Sequence, residues 1–297
     1  MITDFVLIIG AMKSGTTTLY DYLAQHPQIA NGLYKEPSFF AFEEKWALGL
    51  GWYESQFNFD PKKHRYAIDA STDYSKYPFC CGIVERLKAS APRRFKLIYI
   101  MRHPLRRIES HARHVARTMH EIGQFPSPRK SHSLDKGISP VSIAISHYAQ
   151  QIDGFLEYYD KGELLLLTLE QLEREPKVVL RKIYEFLDID PLMPDDATLR
   201  SNVAESWSSS DRISNKLHLL WQALHGVAVV RAAVKATVPS GLRTRIYHIV
   251  RKSVPPEGRF TLNEDEAKEV IDKLASDLCR LRDRYGIDIE KEWGIRL

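Results

Sequence analysis

The chain has 297 residues, 44% of them hydrophobic, enough to bury a sizeable core in one large domain or two small ones; one is expected. A formal charge of +4 is too small to require nucleic acid and suits an anionic cofactor or substrate. Three cysteines, two of them adjacent at Cys80 and Cys81, make no disulfide framework and fit a reducing compartment. No apolar run approaches the roughly 20 residues of a membrane span, and the first residues lack a secretory-signal pattern, so a soluble cytoplasmic protein is expected.

Phe5 to Ile9 is a nearly unbroken apolar run rich in β-branched residues, the pattern of a strand buried on both faces of a parallel sheet. A central strand is expected. Gly10 ends it, Lys13-Ser14-Gly15 supplies a tight loop, and Thr16 to Gln25 reads as a helix with Leu19, Tyr22 and Leu23 on one side. Strand, small-residue loop and helix N-terminus make an anion cradle, because unpaired backbone N–H groups and the helix dipole converge on one point. A Walker A loop places lysine directly after its second glycine. Gly10 and Gly15 have that separation, but Thr16 follows Gly15 and the lysine stands earlier, at Lys13. An ordinary strand-turn-helix corner with a solvated lysine is the plain alternative.

Ile29-Ala30 reads as a short strand, and Pro37 pushes Glu36 out of helical geometry. Glu36 can face a cleft or pair with Lys35 on the surface. Tyr66 to Tyr74 is a second strand with its exit loop, followed by an amphipathic helix from about Pro78 to Lys88. Phe95 to Met101 is a strong strand, and Arg102 leaves its C-terminal end before a helix that opens at Pro104. Open α/β sheets bind ligands at the carboxyl ends of their strands, which brings Arg102 beside the Lys13 loop with a fork suited to phosphate. Arg106, Arg107, Arg113 and Arg117 read mostly as the wet face of that helix.

The polar stretch between Gly123 and Gly137 reads as a loop, either a lid over an acceptor or an idle insertion. Val141 to Tyr159 is expected as a helix, Glu163 to Thr168 as a buried strand, and Leu169 to Leu172 with Pro176 to Leu187 as a helical pair. Past a linker at 190–196, a helix from about Arg212 to Lys235 carries Leu217, Leu220, Trp221 and Leu224 on one face and runs into Arg243, Arg245, Arg251 and Lys252. Residues 217–252 thus form a basic, amphipathic region that either packs on the sheet and the acceptor cleft or touches an acidic membrane surface. A last helix from Asn263 to Tyr285 ends before Gly286. The alternation of strands and helices gives an α/β class with a parallel sheet.

Lys13 followed by Ser14-Gly15-Thr16-Thr17-Thr18 resembles the 5′-phosphosulfate loop of sulfotransferases that use 3′-phosphoadenosine 5′-phosphosulfate (PAPS). Arg102-His-Pro with Ser110 eight residues after the arginine resembles that family's 3′-phosphate signature. Lys35-Glu-Pro-Ser-Phe-Phe40 and Gly49-Leu-Gly-Trp-Tyr53 resemble the heparan sulfate type, in which the glutamate at the position of Glu36 is the proposed general base. Gly286-Ile-Asp-Ile-Glu-Lys-Glu-Trp293 is similar to the end of bacterial sulfotransferase domains. The resemblance is close over about residues 1–190 and loose over 191–297, and it implies one P-loop-like α/β domain: a central parallel sheet with helices on both faces, then a helical part covering sheet and acceptor cleft. It also implies that Glu170 is a structural cap.

The sequence departs from the heparan type as well. Where those enzymes carry lysine in the exit loop of the second strand, this chain has Ala70, and Ser38 and Ala41 replace a histidine and an aspartate. The lysine of a cofactor-wrapping Lys-Gly-Arg loop is missing from Glu257-Gly258-Arg259, which leaves Arg259 as a candidate, with Arg212 and Lys216 behind it. The resemblance implies PAPS as donor, no metal, backbone N–H groups of Ser14 to Thr18 on the 5′-phosphosulfate, Lys13 on the leaving oxygen, Arg102 and Ser110 on the 3′-phosphate, and Glu36 as base. The acceptor it suggests is a carbohydrate hydroxyl or amine, with Trp52 and Tyr53 facing sugar or forming core. Two alternatives stay open: a magnesium-dependent P-loop kinase of a small hydroxylated substrate, against which the displaced lysine speaks, and a non-catalytic nucleotide- or glycan-binding protein, which Ala70, Ser38 and Ala41 allow.

Overall fold

The computed structural model describes residues 1–121, 138–192 and 261–297. Five parallel strands form one sheet in the order β2-β3-β1-β4-β5. β1 (Asp4–Gly10) lies in the middle, flanked by β3 (Tyr66–Asp69) and β4 (Arg94–Met101), with β2 (Ile29–Ala30) and β5 (Leu164–Thr168) at the edges. Parallel strands need crossover connections, and the helices that supply them cover both faces, which is why Phe5 to Ile9 is apolar without alternation.

Side-chain alternation along β1 splits the core into two layers. Phe5, Leu7 and Ile9 join Phe95, Leu97 and Tyr99 of β4 on one side. Val6 and Ile8 join Ile68, Ile98 and Ile100 on the other. The second layer is closed by α1 (Thr16–Leu23), through Leu19, Tyr22 and Leu23, and by α10 (Pro176–Leu187), through Leu180, Ile183 and Leu187. The first is closed in part by α11 (Glu264–Tyr285), whose Val270, Leu274, Leu278 and Leu281 recur at helical spacing and are fully buried. Asn263 starts α11 with a capping box to Glu266, and Gly286 ends it in a left-handed conformation, so both ends fall where the sequence puts them.

Several elements differ from the sequence reading. The helix expected from about Pro78 begins later: α4 is Ile83–Ala89, with Gly82 as a left-handed N-cap. The single helix expected over Val141–Tyr159 is three short ones, α6 (Pro140–Ile145), α7 (Tyr148–Asp153) and α8 (Leu156–Asp160). The reason is long-range: buried Asp277 of α11 accepts from Ala149 N and Gln150 N, both at 2.9 Å, and so fixes a new helix start at Tyr148. The third correction concerns α5 (Pro104–Glu121), where Arg107 is fully buried instead of wet. Its Nε donates to Ser146 Oγ at 2.9 Å and its Nη2 to Ser142 O, both in the α6 segment.

Candidate anion-binding site

The loop between β1 and α1 turns twice through the left-handed region, at Lys13 (φ 70°) and Gly15 (φ 84°). Ala11 N is tied to Ile100 O of β4 at 2.7 Å and Ser14 N to Ala11 O at 3.2 Å, so the loop is fastened to the sheet's carboxyl edge. Gly15 is the N-cap of α1 and supplies no capping side chain, and no acidic residue occupies the first turn. Helix geometry leaves the first N–H groups of α1, from Thr16 to Thr18, without intrahelical partners, and the macrodipole adds partial positive charge there. Ser14 is fully buried, and its Oγ meets no hydrogen-bond partner among the described residues. A hydroxyl and a row of amides left open in this way fit an anionic group. Thr16 is buried, Thr18 half-buried and Thr17 exposed, so each threonine side chain meets a different environment.

Arg102 follows the last residue of β4, and its Nη1 approaches Lys13 O at 3.4 Å. The two sequence motifs therefore meet at the sheet edge although 89 positions separate them. Ser110 lies on the second turn of α5, half-buried. His103 N, just before α5, donates to Glu170 Oε1 at 3.0 Å, while Glu170 Oε2 accepts from Trp293 Nε1 at 3.0 Å. Glu170 thus ties α5, α9 (Leu169–Arg174) and α12 (Ile289–Trp293) together, a structural part in keeping with its expected role.

On the other flank, Glu36 forms an ion pair with Lys35 at 2.6 Å, its side chain 41% exposed. The Lys35 carbonyl accepts from Ala70 N at 3.1 Å, which places the pair beside the end of β3. Behind it sits fully buried Asp69, accepting from Tyr53 OH at 2.9 Å, Tyr74 OH at 2.6 Å and Ser71 Oγ at 2.5 Å. Burial pushes the Asp69 carboxyl up to about 6, the three hydroxyls oppose that rise, and the charge of Glu36 adds to it. Ser38 bridges to the same loop through Ser71 Oγ and Asp73 Oδ2, both at 2.8 Å, and Asp73 pairs with Lys76 at 2.6 Å. Ala70 is fully buried in the second core layer.

Tyr53 is core: it is fully buried and stacks on Phe39 and Phe5 at centroid distances of 4.6 and 5.2 Å. Trp52 is half-buried and lies 6.0 Å from Phe39. Two buried residues carry no site role in the sequence: Tyr148, whose OH donates to Arg102 O at 2.7 Å, and Arg107, which reads there as part of a wet face. Neither carries a local signal; a tyrosine at a helix start and an arginine in a basic run look ordinary until the fold closes.

Arg259, Arg212 and Lys216 lie outside the described residues, as do the segment 123–137 and the basic region 217–252. Among the described residues no group of three or more His, Cys, Asp or Glu is placed to hold a metal ion, and no helix is long and apolar enough to cross a membrane.

The sheet order and the loop define a P-loop-like α/β domain whose anion loop departs from Walker A. Residues 3–208, more than half of the chain, match the sulfotransferase domain family, and the chain belongs to that family. Among its relatives is heparan sulfate glucosamine 3-O-sulfotransferase 6 of Homo sapiens, 29% identical over 197 residues, which cover 64% of this chain and 53% of that protein. The human bifunctional heparan sulfate N-deacetylase/N-sulfotransferase 2 is 26% identical over 212 residues, covering 65% of this chain and 23% of that protein. The chain therefore spans about half, or about a quarter, of the curated relatives it matches. A solved sulfotransferase from Alicyclobacillus acidocaldarius shares the fold, with a TM-score of 0.53 at 23% identity over 82% of this chain and 100% of that one.

Proposed function

We propose that the protein transfers a sulfuryl group from PAPS to a hydroxyl or amine of an acceptor, a carbohydrate in the reading favoured by its heparan sulfate relatives. The observation that carries this reading is the meeting of the Lys13–Thr18 loop with Arg102 at the carboxyl edge of the sheet. Of the backbone donors expected from Ser14 to Thr18, Ser14 N is already given to Ala11 O, so the N–H groups of Gly15 to Thr18 hold the 5′-phosphosulfate, and Arg102 with Ser110 holds the 3′-phosphate. Arg259 is a further donor contact in this scheme.

Sulfuryl transfer resembles phosphoryl transfer, in which catalysis rests on positioning and on stabilising charge at the leaving and equatorial oxygens. Glu36 takes the acceptor's proton as the new bond to sulfur forms. The bond between sulfur and the bridging oxygen breaks, its electron pair stays on that oxygen, and Lys13 neutralises the charge. The products are 3′-phosphoadenosine 5′-phosphate and a sulfated acceptor. No step in this scheme uses a metal. We place the reaction in the cytoplasm, where Cys80, Cys81 and Cys279 would remain the free thiols they are here.

The ion pair between Lys35 and Glu36, together with buried Ala70, favours a second reading, a nucleotide-binding protein without transferase activity. Incubation with sulfur-35-labelled PAPS and a panel of glycans and lipid alcohols separates the two. Label on an acceptor is the expected result; PAPS binding without transfer to any of them supports the second reading. Magnesium-dependent transfer from labelled ATP instead would identify a kinase.

A further inference from the structure

Arg107 is fully buried, and among the described residues its charge interacts with the phenols of Tyr99 and Tyr148 and forms no ion pair with a carboxylate. A buried cation with no counter-ion among the described residues is expensive, so its retention calls for a use. Its Nε and Nη2 are satisfied by Ser146 and Ser142, but Nη1 meets no hydrogen-bond partner among the described residues. The two rings lie 6.2 Å apart, and the Tyr148 phenol is the one that reaches the sheet edge.

That phenol is bonded to one arm of the anion site and interacts with a buried hydroxyl of the other. Its OH donates to the carbonyl of Arg102 at 2.7 Å, fixing the backbone from which the arginine fork extends. Its oxygen also stands against the Ser14 hydroxyl, which is itself fully buried and outside hydrogen-bond geometry. Burial pushes the phenol up to about 12 while the charge of Arg107 pulls the other way, so at neutral pH it keeps its proton and donates. The phenol's single proton is thus committed to the Arg102 carbonyl.

We propose that Tyr148, backed by the buried Arg107 guanidinium, is a positioning residue that fixes the Arg102 arm against the Ser14 loop and so sets the separation of the two phosphate sites. The proposal rests on the donor reading given above. A hydroxyl that merely satisfies a strand-end carbonyl would affect stability; one that sets the separation must also affect discrimination for the 3′-phosphate.

Calorimetric titration of the full chain with 3′-phosphoadenosine 5′-phosphate and with 5′-AMP gives a ratio of affinities that reports the 3′-phosphate contact. Tyr148→Phe keeps the ring and removes the hydroxyl, and should lower that ratio about five- to tenfold, the effect of one hydrogen bond, while leaving 5′-AMP affinity within about twofold. In an Arg102→Ala background the same substitution should lower the ratio no further, because coupled residues are not additive. Arg107→Lys leaves the phenol in place and should lower the ratio about two- to threefold; it also keeps the test open if Tyr148→Phe does not fold. A folded Tyr148→Phe or Arg107→Lys protein with the wild-type ratio, or full additivity with Arg102→Ala, overturns the proposal while leaving the donor reading in place. A wild-type chain that binds both nucleotides equally overturns the donor reading and the proposal with it.

Discussion

Leu169 Cδ1 stands where a side chain on Gly15 would go: a Cβ at Gly15 would lie 2.5 Å from it. Gly15 belongs to the anion loop and Leu169 opens the helix that follows β5, so the edge strand's exit braces the loop. A Cβ there would force the end of the Leu169 side chain to shift, and the left-handed φ of 84° at Gly15 disfavours a side chain independently.

Gly15→Ala should therefore destabilise the fold by about 2–5 kcal/mol, combining roughly 1–2 kcal/mol for a left-handed non-glycine residue with about 1–3 kcal/mol for overpacking. Urea denaturation measures it. A paired Leu169→Ala substitution should recover part of the steric share but none of the backbone share. A Gly15→Ala protein as stable as wild type would show that Leu169 yields and does not brace the loop.

Lys13→Ala should slow transfer far more than it weakens binding of 3′-phosphoadenosine 5′-phosphate. Lys13 is asked to meet charge that develops on the leaving oxygen, and interactions of that kind appear in the transition state rather than in ground-state binding. In the proposed scheme the backbone donors at the start of α1 would still hold the phosphate. Equal losses in rate and in affinity would reduce Lys13 to an anchor.

Glu36→Gln keeps size and shape but cannot take a proton, and transfer should fall by about 10²–10⁴-fold, the range for general acid–base catalysis. Nucleotide affinity should stay near wild type, because Glu36 is assigned to the acceptor side. The observed ion pair with Lys35 gives the contrasting expectation. A surface pair contributes about 0–1 kcal/mol, so if pairing were its whole role, turnover would survive the substitution. Single-turnover rates on the Gln variant decide.

Asp69 should leave a pH signature in stability. Its folded carboxyl is pushed up to about 6 from an ordinary 3.8, chiefly by burial. As pH rises from 4, the unfolded chain ionises first while the folded protein keeps its proton, so the unfolded state gains. The contribution is fully present below about pH 4 and is lost as pH climbs through 6, on the order of 3 kcal/mol for a shift of this size. Urea titrations of wild type and Asp69→Asn should therefore show wild type losing ground to the variant between pH 4 and 6. Parallel curves for the two proteins would mean that Asp69 ionises at its ordinary value.

The local pattern settled a large share of this protein. The apolar, β-branched run Phe5 to Ile9 reads as a doubly covered strand, and the structure puts it in the middle of the sheet. The spacing of Gly10, Lys13 and Gly15 marks the loop, and Arg102 directly after a second apolar run marks the strand end beside it. Asn263 and Gly286 bound the last helix through interactions within a few residues, which is why both ends were legible. These features share one property: the atoms that decide them are near neighbours in the chain, or belong to a sheet edge whose order the parallel topology imposes.

What the tertiary structure alone decided depends on contacts between distant residues. Arg106, Arg107, Arg113 and Arg117 are alike as letters, and only the packing of the Ser142–Ser146 segment against α5 buries Arg107. The run from Val141 to Tyr159 reads as one helix because the carboxylate that starts a new one at Tyr148 belongs to Asp277, 128 positions from Ala149. Tyr53 could face a ligand or fill the core, and its stacking on Phe5 and Phe39, with its hydroxyl on Asp69, resolves it as core. Periodicity records which side chains share a face, but it does not record what the opposing element presents. Burial, pairing and ionisation are set by that opposing surface, and so they appear only when the chain has closed on itself.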